Sequence, residues 1–203
     1  MKLPKSGYVG PFALIFLVLC LAAVPSSAFS GQQTAADGGR GFRIALEDGW
    51  MRPADLKFRE FYGCWAFSPE VKISKGLGGG TSAWFAVSGF KRSGTVPVVD
   101  EHAEARQTFL SLGAAFEKAV LGKLSGRVDA GLTLVLYRES AMGIEEKGTR
   151  AGLRLGAGFS YPIHRRLSAS ASAGYILSSK AIEGVSVKFG GFRAGLGLAY
   201  RFD

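Results

Sequence analysis

The stretch LSASASAGYIL, residues 167–177, decides the fold because its side chains alternate strictly. One parity is apolar, with Leu167, Ala169, Ala171, Ala173, Tyr175 and Leu177, and the other holds Ser168, Ser170, Ser172 and Gly174. A period of two indicates a β-strand with two unlike faces. A water-exposed face would carry Lys, Glu and Thr, because serine and glycine form strands poorly. Small residues suit the crowded lumen of a narrow barrel, so we expect the apolar face of this strand to contact lipid.

Seven further segments alternate in the same way, within residues 42–47, 65–73, 81–92, 110–117, 127–136, 152–161 and 192–202. A tilted transmembrane strand needs roughly 9 to 11 residues, and eight strands is the smallest common number that closes a barrel. The sequence therefore predicts an all-β fold for residues 42–203, an eight-stranded antiparallel up-and-down transmembrane β-barrel in one domain. On the segment from Thr81 to Arg92, we expect Trp84, Ala86 and Phe90 to form the lipid-facing side.

The N-terminus has the pattern of a secretory signal peptide. Lys2 and Lys5 precede an apolar run from residue 12 to residue 24, and Ser26, Ser27 and Ala28 supply small residues at a cleavage site. We expect residues 1–28 to be removed, although a retained anchor is an alternative, and residues 29–41 to form a flexible lead-in. Cys64 is then the last cysteine, so no intramolecular disulfide is expected.

The links between the segments differ in length at the two ends of the predicted barrel. With a periplasmic N-terminus, the inner links are short, at residues 76–80, 119–124 and 163–166, and the outer links, at 51–63, 93–103, 139–148 and 179–186, are longer on average. This asymmetry is typical of outer-membrane barrels. Aromatic residues near the strand ends are expected to form the two interfacial girdles: Trp50, Trp65, Trp84, Phe90, Phe159, Tyr161, Tyr200 and Phe202.

The strand number, the link asymmetry and the closing LGLAYRF of residues 196–202 resemble the small eight-stranded outer-membrane barrels of the OmpA, OmpX and opacity-protein type. The resemblance implies a porin-like fold in the outer membrane of a Gram-negative bacterium. It also implies that the barrel assembly machinery recognises the region of Phe202. Asp203 follows Phe202, which departs from the terminal aromatic residue common in that family.

Charged residues on the predicted lumen parity are expected to pair with one another, because a charge facing a narrow interior needs a partner or water. They are Glu70, Lys72, Glu117, Arg127, Asp129, Arg154 and Arg193. Side chains fill most of an eight-stranded barrel. We therefore expect a lumen that is closed or at most ion-sized.

A second set of basic residues lies in or beside the predicted outer links: Lys57, Arg59, Lys91, Arg92, Arg106, Arg138, Lys147 and Lys180. Of the 25 Lys and Arg residues only Lys2 and Lys5 leave with the signal peptide. Basic side chains at an interface attract anionic head groups, so this rim is expected to bind outer-membrane lipid and lipopolysaccharide phosphates. A solvated loop surface is the alternative. Basic residues occur at both ends of the barrel, so nucleic-acid binding is not expected.

The sequence predicts no catalytic residue, metal or cofactor, and thus a structural or interaction role for an external partner that it does not name. His102 and His164 are the two histidines, and they fall at opposite ends of the barrel, about 30 Å of hydrocarbon apart. Two alternatives stay open. One is a soluble lipocalin-like barrel with a small apolar ligand, and the other is a lipid A-modifying enzyme, which would need a serine beside one histidine.

Overall fold

The computed structural model describes residues 41–96, 101–141, 143–182 and 185–202. The predicted signal peptide and almost all of the lead-in lie outside these residues, and so does Asp203. The elements are β1 (Phe42–Pro53), α1 (Leu56–Tyr62), β2 (Ala66–Phe67), β3 (Glu70–Gly78), β4 (Thr81–Val96), β5 (Glu101–Leu121), β6 (Leu124–Ala141), β7 (Ile144–Pro162), β8 (Leu167–Ile182) and β9 (Val185–Phe202).

The strands form one antiparallel sheet that closes on itself. Neighbours follow one another in chain order from β3 to β9, and β1 pairs with both β3 and β9. The short β2 continues β3 on the same edge of β1, since Trp50 opposite Phe67 and Glu47 opposite Glu70 belong to one register. Pro69 has no N–H to donate and interrupts the pairing between them. The predicted eight-stranded up-and-down barrel is therefore confirmed, with β2 and β3 as its second strand.

Apolar side chains cover the outside of the ring. Leu46, Leu132 and Leu196 point outward and are 61%, 60% and 70% exposed. Polar side chains such as Ser111 and Thr133 are buried on the inward parity and share a hydrogen bond of 2.8 Å between their hydroxyl oxygens. A soluble barrel would place the two faces the other way round. The lipocalin-like alternative is therefore wrong.

Strand β4 corrects one detail of the predicted faces. Trp84 and Phe90 are only 4% and 5% exposed and lie inside, with Ala86, whereas Phe85 and Val87 face outward. Both parities of β4 are apolar, so alternation alone did not fix its orientation. Trp84 lies opposite Gly113, where a Cβ atom would come within 2.8 Å of the indole ring. The prediction that Trp84 and Phe90 belong to the interfacial girdles is therefore wrong, while the other six aromatic residues are exposed.

The outer end also differs from prediction. The strands continue through much of residues 93–103, 139–148 and 179–186, as the pairs Ser93–Glu104 and Glu139–Glu146 show. Strand β5 has 21 residues, a length of about 70 Å at about 3.4 Å per residue, and a hydrocarbon core is only about 30 Å thick. The long outer strands thus replace most of the predicted long loops. The link after β1 is the exception, because it carries helix α1.

Candidate functional site: a plugged lumen and a basic outer row

An apolar plug fills the lumen toward the outer end. Its buried members are Met51, Ala66, Phe90, Phe109, Val135, Tyr137, Ile176 and Phe189. The rings of Tyr137 and Phe189 stack with their centroids 4.5 Å apart, and those of Phe90 and Phe109 are 6.1 Å apart. These side chains come from β1, β2, β4, β5, β6, β8 and β9. The plug therefore closes the cross-section with hydrocarbon.

Helix α1 packs over this plug. Asp55 is its N-cap, and one carboxylate oxygen accepts a hydrogen bond of 3.0 Å from the backbone N–H of Phe58. The other oxygen accepts one of 3.2 Å from the backbone N–H of Lys188 on β9. Phe58 and Tyr62 are four residues apart and so share one face, and Phe58 contacts the ring of Phe90. Within the described residues, no helix is both long and apolar enough to span a membrane.

Tyr62 fixes the C-terminal end of α1. Its hydroxyl donates a hydrogen bond of 2.7 Å to Glu139, and its backbone carbonyl accepts one of 3.0 Å from Nε of Arg92. Burial and the neighbouring Glu139 carboxylate raise the pKa of the Tyr62 phenol above its ordinary value. The helix is thus attached to β4 and β6 by polar contacts and to the plug by aromatic ones.

A layer of buried charges lies below the apolar plug. Arg154 donates two parallel hydrogen bonds to Glu70, of 2.7 and 2.9 Å. Nζ of Lys72 lies 3.6 Å from an oxygen of Glu70 and 3.6 Å from an oxygen of Asp129. Lys72 and Arg154 also lie over the ring of Trp84, at 5.3 and 5.1 Å from its centroid. The inward-pointing ring of Trp84 therefore stabilises the two cations through cation–π contacts.

Arg193 connects this layer to the strand that closes the ring. Its Nη1 lies 3.3 Å from Glu47 on β1 and 3.6 Å from Glu70 on β3. Glu47 and Glu70 are directly opposite each other in the sheet, and like charges in that position repel. Glu47 also accepts a hydrogen bond of 2.7 Å from Ser172. One guanidinium thus stabilises two carboxylates that would otherwise oppose each other.

The structure brings six of the seven predicted lumen charges into this layer. The sixth is Arg127, whose Nε lies 3.6 Å from Asp129. Glu117 lies apart, toward the inner end, where it pairs with Arg43 at 2.9 Å and accepts a hydrogen bond of 2.8 Å from Ser160. Glu47 and Arg43 were not among the predicted lumen charges. The inward parity of β1, which includes both, is the signal that could have found them.

A row of basic residues crosses the outward face of four neighbouring strands near their outer ends. Cross-strand pairs join Lys91 to Arg106, Arg106 to Arg138, and Arg138 to Lys147. We call Lys91, Arg106, Arg138 and Lys147 the basic outer row. On each of the four strands, the residue four positions closer to the inner end also points outward. These residues are Val87, Leu110, Leu134 and Ala151. The basic outer row therefore lies just beyond the apolar belt.

The other predicted rim residues lie elsewhere. Lys57 and Arg59 are on helix α1. Arg92 and Lys180 have inward parity: Arg92 bonds to Tyr62, and Nζ of Lys180 lies 3.4 Å from the Tyr137 hydroxyl and 3.8 Å from Glu146. These two side chains belong to the mouth of the lumen, because a strand position two residues removed from an inward one also points inward.

Solved structures of low sequence identity share this architecture. Neisserial surface protein A aligns with a TM-score of 0.64 at 13% identity, over 79% of this chain and 97% of that one. OprG from Pseudomonas aeruginosa aligns with a TM-score of 0.63 at 12% identity, over 80% of this chain and 95% of that one. This chain has the fold of the small eight-stranded outer-membrane β-barrels.

A third outer-membrane barrel with this fold is Ail of Yersinia pestis, whose structure was determined in complex with the heparin analogue sucrose octasulfate. It aligns with a TM-score of 0.51 at 16% identity, over 80% of this chain and 97% of that one. No protein-family model matches the sequence, and no curated protein does.

The two histidines of this barrel are far apart. His102 is exposed on β5 near the outer end, and His164 is exposed in the turn between β7 and β8 at the inner end. The backbone N–H of His164 donates to the carbonyl of Leu167. Among the residues that the structure describes, no three His, Cys, Asp or Glu side chains are grouped as metal ligands.

Proposed function

We propose that this outer-membrane barrel is a non-enzymatic protein with a closed lumen, whose basic outer row binds the phosphate groups of lipopolysaccharide. The observation that carries the proposal is the position of the row. Lys91, Arg106, Arg138 and Lys147 are adjacent across four strands, point outward and begin where the apolar belt ends. Lipid phosphates occupy that level of a membrane.

The charge balance of the row favours an anionic ligand. Lys91 pairs with Glu104 at 2.7 Å, and Arg138 pairs with Glu145. In the described part of the chain, Arg106 and Lys147 have no carboxylate within ion-pair distance. Each basic side chain near an anionic lipid surface contributes roughly 1 kcal/mol, and salt screens this attraction. Arg106 and Lys147 are therefore the members that a phosphate group would neutralise.

The lumen supports a structural role. An apolar plug, a helix above it and a charged layer below it occupy the interior in succession. A wide diffusion pathway would need all three to move. The outer end, which includes α1, is the surface that we expect an external partner to meet. Recognition of the Phe202 region by the barrel assembly machinery stays a prediction.

The test compares two quadruple variants that change the net charge equally. One replaces Lys91, Arg106, Arg138 and Lys147 with Gln, and the control replaces the exposed inner-end residues Lys75, Lys118, Lys123 and Arg165 with Gln. Phosphate analysis of lipopolysaccharide retained after purification at low salt should show a severalfold loss for the first variant only. Sucrose octasulfate, the ligand in the Ail structure, is a practical competitor. If both variants retain equal amounts of lipopolysaccharide, the basic outer row is a solvated surface that does not bind it.

A further inference from the structure

A small cavity lies in the charged layer, against the wall formed by β7 and β8. Its wall residues include Gly156, Ser172 and Gly174, and Lys72, Asp129, Arg154 and Arg193 border it from inside. The small residues of this wall leave space that larger side chains would fill. The cavity holds about one particle of the size of a water molecule.

The charges around this cavity do not balance. The charged layer contains Lys72, Arg127, Arg154 and Arg193, which are four cations, and Glu47, Glu70 and Asp129, which are three carboxylates. Six of these seven side chains are at most 8% exposed and Arg127 is 16% exposed, and an uncompensated buried charge is costly. One negative charge is therefore missing from the layer.

Hydrogen-bond donors are in excess as well. The side chain of Arg193 is 5% exposed and borders the cavity, and its Nη2 has no hydrogen-bond partner among the described residues. In that part of the chain, the buried donor Nη2 of Arg127 and the buried acceptor Oδ1 of Asp129 also have no hydrogen-bond partner. Ser172 donates its hydroxyl hydrogen to Glu47. The free donors close to the cavity thus come from cations.

We propose that this cavity binds a monoatomic anion of halide size, held by Lys72 and the guanidinium groups of Arg154 and Arg193. Such an ion supplies the missing negative charge and is only slightly larger than the water-sized space, whereas phosphate or sulfate is far too large. This site is independent of the basic outer row, because it lies inside the barrel. The competing arrangement is a water molecule in the cavity beside an uncharged Lys72.

The test measures thermal unfolding of the full barrel in lipid vesicles at constant ionic strength, with chloride replacing gluconate. A halide site gives a saturable rise of a few degrees in the midpoint. Lys72→Met keeps most of the side-chain length, lacks the ammonium group and makes the layer neutral, so it should abolish the rise. Lys180→Met, at the lumen mouth, should retain it.

A midpoint that is the same in chloride and gluconate would overturn the proposal, and so would a chloride effect that persists in Lys72→Met. If Lys72→Met does not fold, crystals of the unmodified barrel grown in bromide decide the question. An anomalous peak between Lys72 and Arg193 is the expected result, and no peak there refutes the site.

Discussion

At the scale of single residues, Arg193 joins parts of the chain that are far apart in sequence. Its guanidinium on β9 lies within ion-pair distance of Glu47 and Glu70. Alternation predicted that Arg193 would point inward, because parity is a local property. Its partners depend on which strand closes the ring and in what register, and no local pattern contains that information.

Replacing Arg193 with Ala should destabilise the barrel by about 3 to 5 kcal/mol, the usual cost of removing one partner of a buried ion pair. Glu70 would keep Arg154, but Glu47 would keep only the hydroxyl of Ser172. Lys180→Ala is the control, since Lys180 lies at the partly exposed mouth and should cost less than about 1 kcal/mol. Denaturant unfolding in vesicles measures both. Indistinguishable midpoints would contradict a structural role for the charged layer.

At the scale of elements, helix α1 was not predicted, because seven residues with the sequence LKFREFY hold too little periodicity to stand out between strands. The helix depends on Asp55 at its start and on a binding surface that β4, β5 and β6 provide. Strand β4 illustrates the same limit. Both of its faces are apolar, so the sequence of β4 does not determine which face points inward. The orientation depends on Gly113 of the neighbouring strand, which leaves space for the Trp84 ring inside the barrel.

Tyr62 should respond to alkaline pH differently from exposed tyrosines. Because its folded-state pKa is raised above the ordinary value of 10.0, the unfolded chain loses the phenolic proton first. Stability from this residue is therefore complete below about pH 10 and declines as the pH rises further. Absorbance at alkaline pH should show late ionisation that Tyr62→Phe removes.

Tyr161→Phe is the matched control, because Tyr161 is exposed on the outside of β7. This change should leave the late component unchanged. If Tyr62→Phe removes an early component instead, α1 does not bury its tyrosine against β6.

At the scale of the whole barrel, the sequence predicted the strand number, the closure and seven of eight lipid-facing sides. These features follow from a period of two that is repeated over many residues, so single ambiguous positions do not alter them. The outer end was harder to predict. Glycine and charge around residues 93–103 and 139–148 look like loop sequence, yet cross-strand pairs such as Arg138–Lys147 extend the strands there.

The lipid-facing surface gives a test of the barrel as a membrane protein. Leu155→Arg places a charge on the outward face of β7 and should cost about 2 to 4 kcal/mol near the bilayer midplane. Ser170→Thr changes the inward face of β8 by one methyl group and should cost less than about 1 kcal/mol. Unfolding in vesicles, with the heat-modified gel shift as a check of folding, compares them. Equal tolerance of both changes would contradict the assigned faces.

The pairing of β1 with β9 along the full length of β1 has a consequence for biogenesis. Because β1 is synthesised long before β9, the edge of β1 stays without its partner until β9 is complete, and Glu47 has no Arg193 to neutralise it until then. Sequence-distant pairing of this kind slows folding. A prematurely terminated chain therefore has an open edge and an unneutralised carboxylate on the side that should enter lipid. The pairing of β1 with β9 therefore makes synthesis of the chain through β9 a physical requirement for membrane insertion.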